Sequence, residues 1–141
     1  MEFAWLSRLQ PQMLAVLRIV TALLLIEHGT MKLFHFPAAL MPGPLPPLLL
    51  AAAIIELVAG VLVTVGLFTR LAAFILSGEN AVAYFMVHFP KTFWPTLNQG
   101  EVAILFCFVL PHLCVAGPGA SSLDGVRNRR RPVTGEAGAP A

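Results

Sequence analysis

The chain reads as an all-α integral membrane protein, an antiparallel four-transmembrane-helix bundle with both termini cytoplasmic. Three observations predict this. The sequence holds four long apolar runs, at residues 13–34, 48–68, 71–89 and 99–116, each close to the roughly 20 residues that a bilayer-crossing helix needs. Hydrophobic residues make up 57% of the chain and charged residues 11%, whereas a soluble domain carries about 25% charge; mean hydropathy is +0.80. Basic residues gather at alternate connections: Arg8 before the first run, Arg70 between the second and third, and Arg127, Arg129, Arg130 and Arg131 after the fourth. Basic connections stay in the cytoplasm.

The first run continues past 20 residues into Glu27-His28-Gly29-Thr30-Met31-Lys32 without a small-residue cleavage site, so it is expected to be retained as a helix. Residues 36–47 contain five prolines, which exclude a continuous helix and predict an apolar loop. The second run carries Glu56, Gly60 and Gly66, and Thr69-Arg70 is expected to be a tight turn that makes runs two and three antiparallel neighbours. The third run holds Gly78, Glu79, Asn80, Tyr84 and His88. Pro90 and Pro95 then bracket a loop with Phe93 and Trp94, residues suited to the membrane interface. The fourth run opens with Asn98-Gln99-Gly100-Glu101, contains Pro111, where a kink is expected, and closes at Gly117-Pro118-Gly119. Residues 1–125 form one four-helix membrane domain on this reading. Residues 126–141 are basic, then rich in Gly, Ala and Pro, and predict a disordered cytoplasmic tail.

Every run carries a glutamate: Glu27, Glu56, Glu79 and Glu101. An acidic side chain at mid-membrane costs roughly 2.5–3.5 kcal/mol on insertion scales, so one in each run points to a shared polar site. Counted from the outer end of each run, Glu27, Glu56 and Glu79 fall at or just outside mid-membrane and Glu101 near the outer surface. His28 and Lys32 share a helical face, as do Asn80, Tyr84 and His88. Buried charges pair or become neutral, and Lys32 and Arg18 are the cations within reach. Glu27 and Glu56 are read as proton carriers, Lys32 as their charge balance and His28 as a hydrogen-bond donor to a ligand. Glu79, Tyr84 and His88 complete the binding layer, with Glu101 as its connection to outside water. Arg18 is expected to snorkel to the inner surface or to pair with Asp124, and Arg70 to serve topology. Cys107 and Cys114 lie about 10.5 Å apart on a helix, beyond disulfide reach, and read as packing residues. No spacing carries a metal or haem signature. The arginine cluster is a positive-inside anchor, so no nucleic acid is expected as a partner.

Arg18, His28-Gly29, Lys32-Leu33, Glu56, Gly66-Leu67-Phe68-Thr69-Arg70, Asn98-Gln99-Gly100-Glu101, Gly117-Pro118-Gly119 and Ser122-Leu123-Asp124 follow one another in an order that resembles the DoxX family of small membrane proteins. The resemblance spans residues 13–125. It implies a four-helix bundle in the bacterial cytoplasmic membrane, crossed several times. Some members of that family are linked to quinone-dependent oxidation of sulfur compounds, others to defence against oxidative or thiol stress. Thr30-Met31 stands where relatives often have a glutamine before the lysine, and Glu79 maps onto no family motif.

Three functions stay open at this level. The first is a redox membrane subunit that holds a quinone, a possible oxidoreductase component. With no cysteine pair or flavin motif, its electrons would come from a soluble or membrane partner protein. The second is a proton-coupled transporter module, which with four helices would need to assemble with further copies of itself. The third is a non-catalytic membrane anchor or assembly partner.

Overall fold

The computed structural model describes residues 3–129. All regular structure among them is helical: α1 (Ala4–Ser7), α2 (Gln10–Phe34), α3 (Pro47–Val65), α4 (Thr69–Ala83), α5 (Pro95–Asn98), α6 (Glu101–Ala116) and α7 (Leu123–Arg129). A π-helical turn at Tyr84–His88 continues α4. Three of these stretches, α2, α3 and α4 with its π turn, are long and apolar enough to cross a membrane; α6 is apolar but has 16 residues.

The buried residues of α2 include Ala15, Arg18, Ala22, Leu25 and Gly29, a repeat of three and four that marks one helical face. Small residues on that face let α3 approach closely, as they do between membrane helices generally. A Cβ added to Gly29 would lie 2.8 Å from Cγ of Leu57 and 3.1 Å from the Ala53 carbonyl oxygen. One added to Gly60 of α3 would lie 2.7 Å from Cγ1 of Ile26. This contact fixes the rotation of both helices and hence the direction of their polar side chains. Helix α3 packs chiefly on α2, α4 chiefly on α6, and the α3–α4 seam joins the two pairs. Leu25, Val63, Leu76, Phe106, Leu110 and Leu113 fill the core. The outside is apolar as well: Phe74, Phe108 and Val115 are 69%, 75% and 78% exposed, a surface that suits lipid and not water.

Several boundaries differ from the sequence expectation for physical reasons. Helix α3 stops at Val65 because Gly66 takes a left-handed conformation (φ 71°), and the Leu67 N–H closes the end on the Leu62 carbonyl at 2.9 Å. The turn is therefore Gly66–Phe68, and Thr69-Arg70 opens α4 instead of forming the turn. Helix α6 runs through Pro111 to Ala116, the end expected from sequence. Proline removes the hydrogen bond to the carbonyl four residues earlier, and that carbonyl, of Cys107, accepts the Ser77 hydroxyl from α4 at 3.2 Å. The expected disordered tail is helical from its first residue to Arg129 within α7; the remainder of that expectation lies outside the described residues.

Candidate functional site

The polar residues separate into two groups at opposite ends of the helices. At the end away from Arg70, Lys32 in the last turn of α2 meets Glu56 of α3. Its ammonium donates to both carboxylate oxygens at 2.7 Å, and the two side chains are 11% and 5% exposed. This is the one ion pair among the described residues. It borders a chamber of about 380 Å³ between the two helix pairs, which Glu79, Asn80, His28 and His88 also line.

The local sequence sets each group in place. Glu79 is half-buried; its carboxylate accepts the Asn80 side-chain amide at 3.0 Å, and the same amide donates to the Leu76 carbonyl at 2.9 Å. His28 and His88 each place Nδ1 against a backbone carbonyl, that of Leu24 at 2.7 Å and that of Asn98 at 3.0 Å. A carbonyl only accepts, so Nδ1 carries the proton and Nε2 is left as the second ring nitrogen for a ligand. The π turn, a feature enriched at functional sites, carries His88, and Tyr84 stacks on that imidazole with centroids 6.4 Å apart. The loop supplying the His88 acceptor is pinned by fully buried Asn98, which donates to the Thr92 carbonyl at 2.8 Å and accepts the Gly100 N–H at 2.7 Å. Gly100 has no side chain for a steric reason: a Cβ there would sit 2.7 Å from the Tyr84 ring.

The structure thus gathers His28, Lys32, Glu56, Glu79 and His88 on one chamber, with Tyr84 beside it as a support for His88. It does not bring Glu27 or Glu101 there. Glu27 lies two residues from both Leu25 and Gly29, about 200° around the helix from the buried face, and is exposed. Glu101 is exposed at the start of α6, where its carboxylate accepts the Thr96 hydroxyl at 3.0 Å. Of the three glutamates expected in the mid-membrane layer, Glu56 and Glu79 line the chamber and Glu27 does not. Lys91, Gln99 and Asn80 also line the chamber, although none was among the site residues expected from sequence. For Asn80 the signal was present in its ridge with Tyr84 and His88, and for Gln99 in the Asn98–Glu101 motif. Among the described residues no group of three or more His, Cys, Asp or Glu is arranged to hold a metal.

At the other end the charges bind backbone. Arg18 is fully buried and neither snorkels nor contacts a carboxylate: it donates to the Val63 carbonyl at 3.3 Å and the Ser121 carbonyl at 3.0 Å. A Cβ at Gly66 would collide with this guanidinium. Asp124 caps α4, accepting the Phe68 N–H, the Thr69 N–H and the Thr69 hydroxyl, each at 3.0 Å. Burial pushes its carboxyl up, but the Thr69 and Phe68 N–H groups, the Thr69 hydroxyl and nearby Arg127 outweigh that, so it sits below the usual carboxylate range. Arg70 donates to the Cys114 carbonyl, and to the Val115 carbonyl at 2.7 Å, closing the C-terminus of α6.

A family model described as DoxX matches residues 13–89, from the start of α2 to the end of the π turn. An uncharacterized protein of Haemophilus influenzae (strain ATCC 51907 / DSM 11121 / KW20 / Rd) is 43% identical over 125 residues, covering 84% of this chain and 93% of the relative. No solved structure matches the chain. With its apolar helices and outer surface this is a membrane protein, and the chain belongs to the DoxX family.

Proposed function

We propose that the protein is a multi-pass protein of the bacterial cytoplasmic membrane, with α2, α3, α4 and α6 as four spans and both termini inside. Positive charge supports this orientation: Arg70, Arg127 and Arg129 share one end, which also holds the start of α2, since the Ala120 N–H donates to the Pro11 carbonyl at 2.9 Å. Basic ends stay in the cytoplasm.

Within this frame the protein acts as the quinone-holding membrane subunit of a redox system. The observation that carries the reading is the Lys32–Glu56 pair beside Glu79, which makes no ion pair of its own among the described residues. The chamber, about 380 Å³, falls within the roughly 300–1,000 Å³ of small-molecule sites. Its donor set fits a quinone head, whose two carbonyls need hydrogen-bond donors. When bound, a quinone supplies two-electron acceptor chemistry, taking two electrons from a partner protein and two protons from its surroundings. Lys32 orients a carbonyl oxygen and holds the Glu56 carboxylate by charge. Glu79, with an amide neighbour and no ion pair of its own among the described residues, passes protons toward the head. His28 and His88, each with Nδ1 anchored to backbone, are held in fixed orientations for hydrogen bonding, and Tyr84 holds the His88 ring.

Titration of the purified, detergent-solubilised protein with a benzoquinone, followed by tryptophan fluorescence, tests the reading. Saturable quenching that Glu56→Gln abolishes is expected. Identical unsaturating curves for both proteins would overturn it.

A further inference from the structure

The polar chamber has an apolar neighbour on the α3–α4 side. Along the α3–α4 seam lies an apolar cavity of about 240 Å³, lined by Leu48, Ala52, Ile55, Ile75, Val82 and Met86, with Lys32 and Glu79 as its polar wall. Lys32 and Glu79 also line the chamber, as do Leu49, Ala83 and Val87, so the two spaces share one wall of side chains. A second apolar cavity, of about 310 Å³, extends the groove past Val58 and Leu62 to Phe68 and Leu71. It shares Ile55 and Ile75 with the first. From Glu79 to Leu71 this path covers roughly 12 Å of helix. Gly78 faces the groove, and a Cβ added there would meet nothing within 4 Å.

We propose that the chamber opens sideways into the bilayer through the α3–α4 seam, and that the seam holds the apolar tail of the amphiphile whose head occupies the chamber. The inference rests on the quinone reading and adds the tail, the route and the direction. A polar head reaching Lys32 and Glu79 by this route leaves its chain among Ile55, Ile75, Val58 and Leu62, where every lining group is aliphatic or aromatic. A water-borne solute would have to cross that surface unsolvated, which the cost of burying unpaired polar groups opposes. A lipid-borne ligand crosses it without penalty. Because lipid is as apolar as the groove, tail burial adds little driving force; the groove sets which ligands fit, and the head contacts set affinity.

Two experiments on the full chain in nanodiscs test this, with a tailless benzoquinone and a decyl-tailed benzoquinone of the same head as probes. In the first, a photoreactive group at the tail end labels the protein, and the sites are read by mass spectrometry. Labels on Ile55, Val58, Leu62, Leu71 or Ile75, removed by excess tailless probe, are expected. Competed labels on the outer faces of α2 or α6 would overturn the seam while leaving the chamber reading in place. Labelling that the tailless probe does not compete would overturn both. In the second, Gly78→Leu puts a side chain into the groove from a position whose Cβ meets nothing within 4 Å. It is expected to weaken the tailed probe by about tenfold, the size of a moderate overpacking cost, and to leave the tailless probe unchanged. Equal affinity of both probes in the variant would overturn the seam route.

Discussion

The two ends of this molecule hold similar side chains to opposite ends. At the Arg70 end, Arg18, Arg70 and Asp124 direct their hydrogen bonds to backbone carbonyls and N–H groups, with the Thr69 hydroxyl as the one side-chain partner among the described residues, and join α2, α3, α4, α6 and α7. At the chamber end, Lys32, Glu56 and Glu79 line one cavity, and their partners are side chains. Ionisable residues inside a membrane are functional candidates by default, yet Arg18, Arg70 and Asp124 are explained by backbone groups at helix ends and turns that need partners. The useful distinction is what a charge binds: backbone partners mark a clasp, and charged or amide side-chain partners beside a cavity mark a site.

That contrast can be broken from either side. The largest effect is expected at the clasp. Gly66→Ala combines left-handed strain with a collision against Arg18 and should cost about 4 kcal/mol, read by denaturant unfolding in detergent. Next, Glu56→Leu leaves Lys32 unpaired and should cost about 3 kcal/mol. The double variant Lys32→Met/Glu56→Leu is expected to recover most of that stability and still bind no quinone, which separates a site charge from a structural one. Asp124→Asn weakens a helix cap, about 1 kcal/mol. Its pH signature follows from the lowered carboxyl: the stabilisation is present above the unfolded value of about 3.9 and disappears as pH falls through the lower folded value. The variant should lack that acid-side loss. The smallest effect is Glu27→Gln, exposed and outside the chamber, expected within about 0.5 kcal/mol and with unchanged binding.

Much of this architecture is legible in the chain. Long apolar stretches and proline-rich breaks mark the helices, whereas the end of α3 at Gly66 lies hidden within the second run. Lys32, Glu56, Glu79 and the two histidines stand out because polar groups are rare in such stretches. What could not be read is rotation. Glu27 and Glu56 look equivalent in sequence because apolar residues surround every helix. The close contact of Gly29 with Leu57 and Ala53 decides that Glu56 faces in and Glu27 out. The start of α4 was hidden for a related reason: its cap, Asp124, lies 55 residues away from Thr69. Asn98 is visible as the first residue of the Asn98–Glu101 motif, but not its role, to hold the loop that orients His88, which no local pattern announces.

The central claim, that chamber charges serve ligand binding and clasp charges serve the fold, is tested most directly by measuring quinone affinity per folded molecule and unfolding stability together in Glu56→Gln and Asp124→Asn. The account predicts that Glu56→Gln remains folded and loses saturable binding, while Asp124→Asn is less stable and binds as the unchanged protein does. Loss of binding in both, or in Asp124→Asn alone, would contradict it.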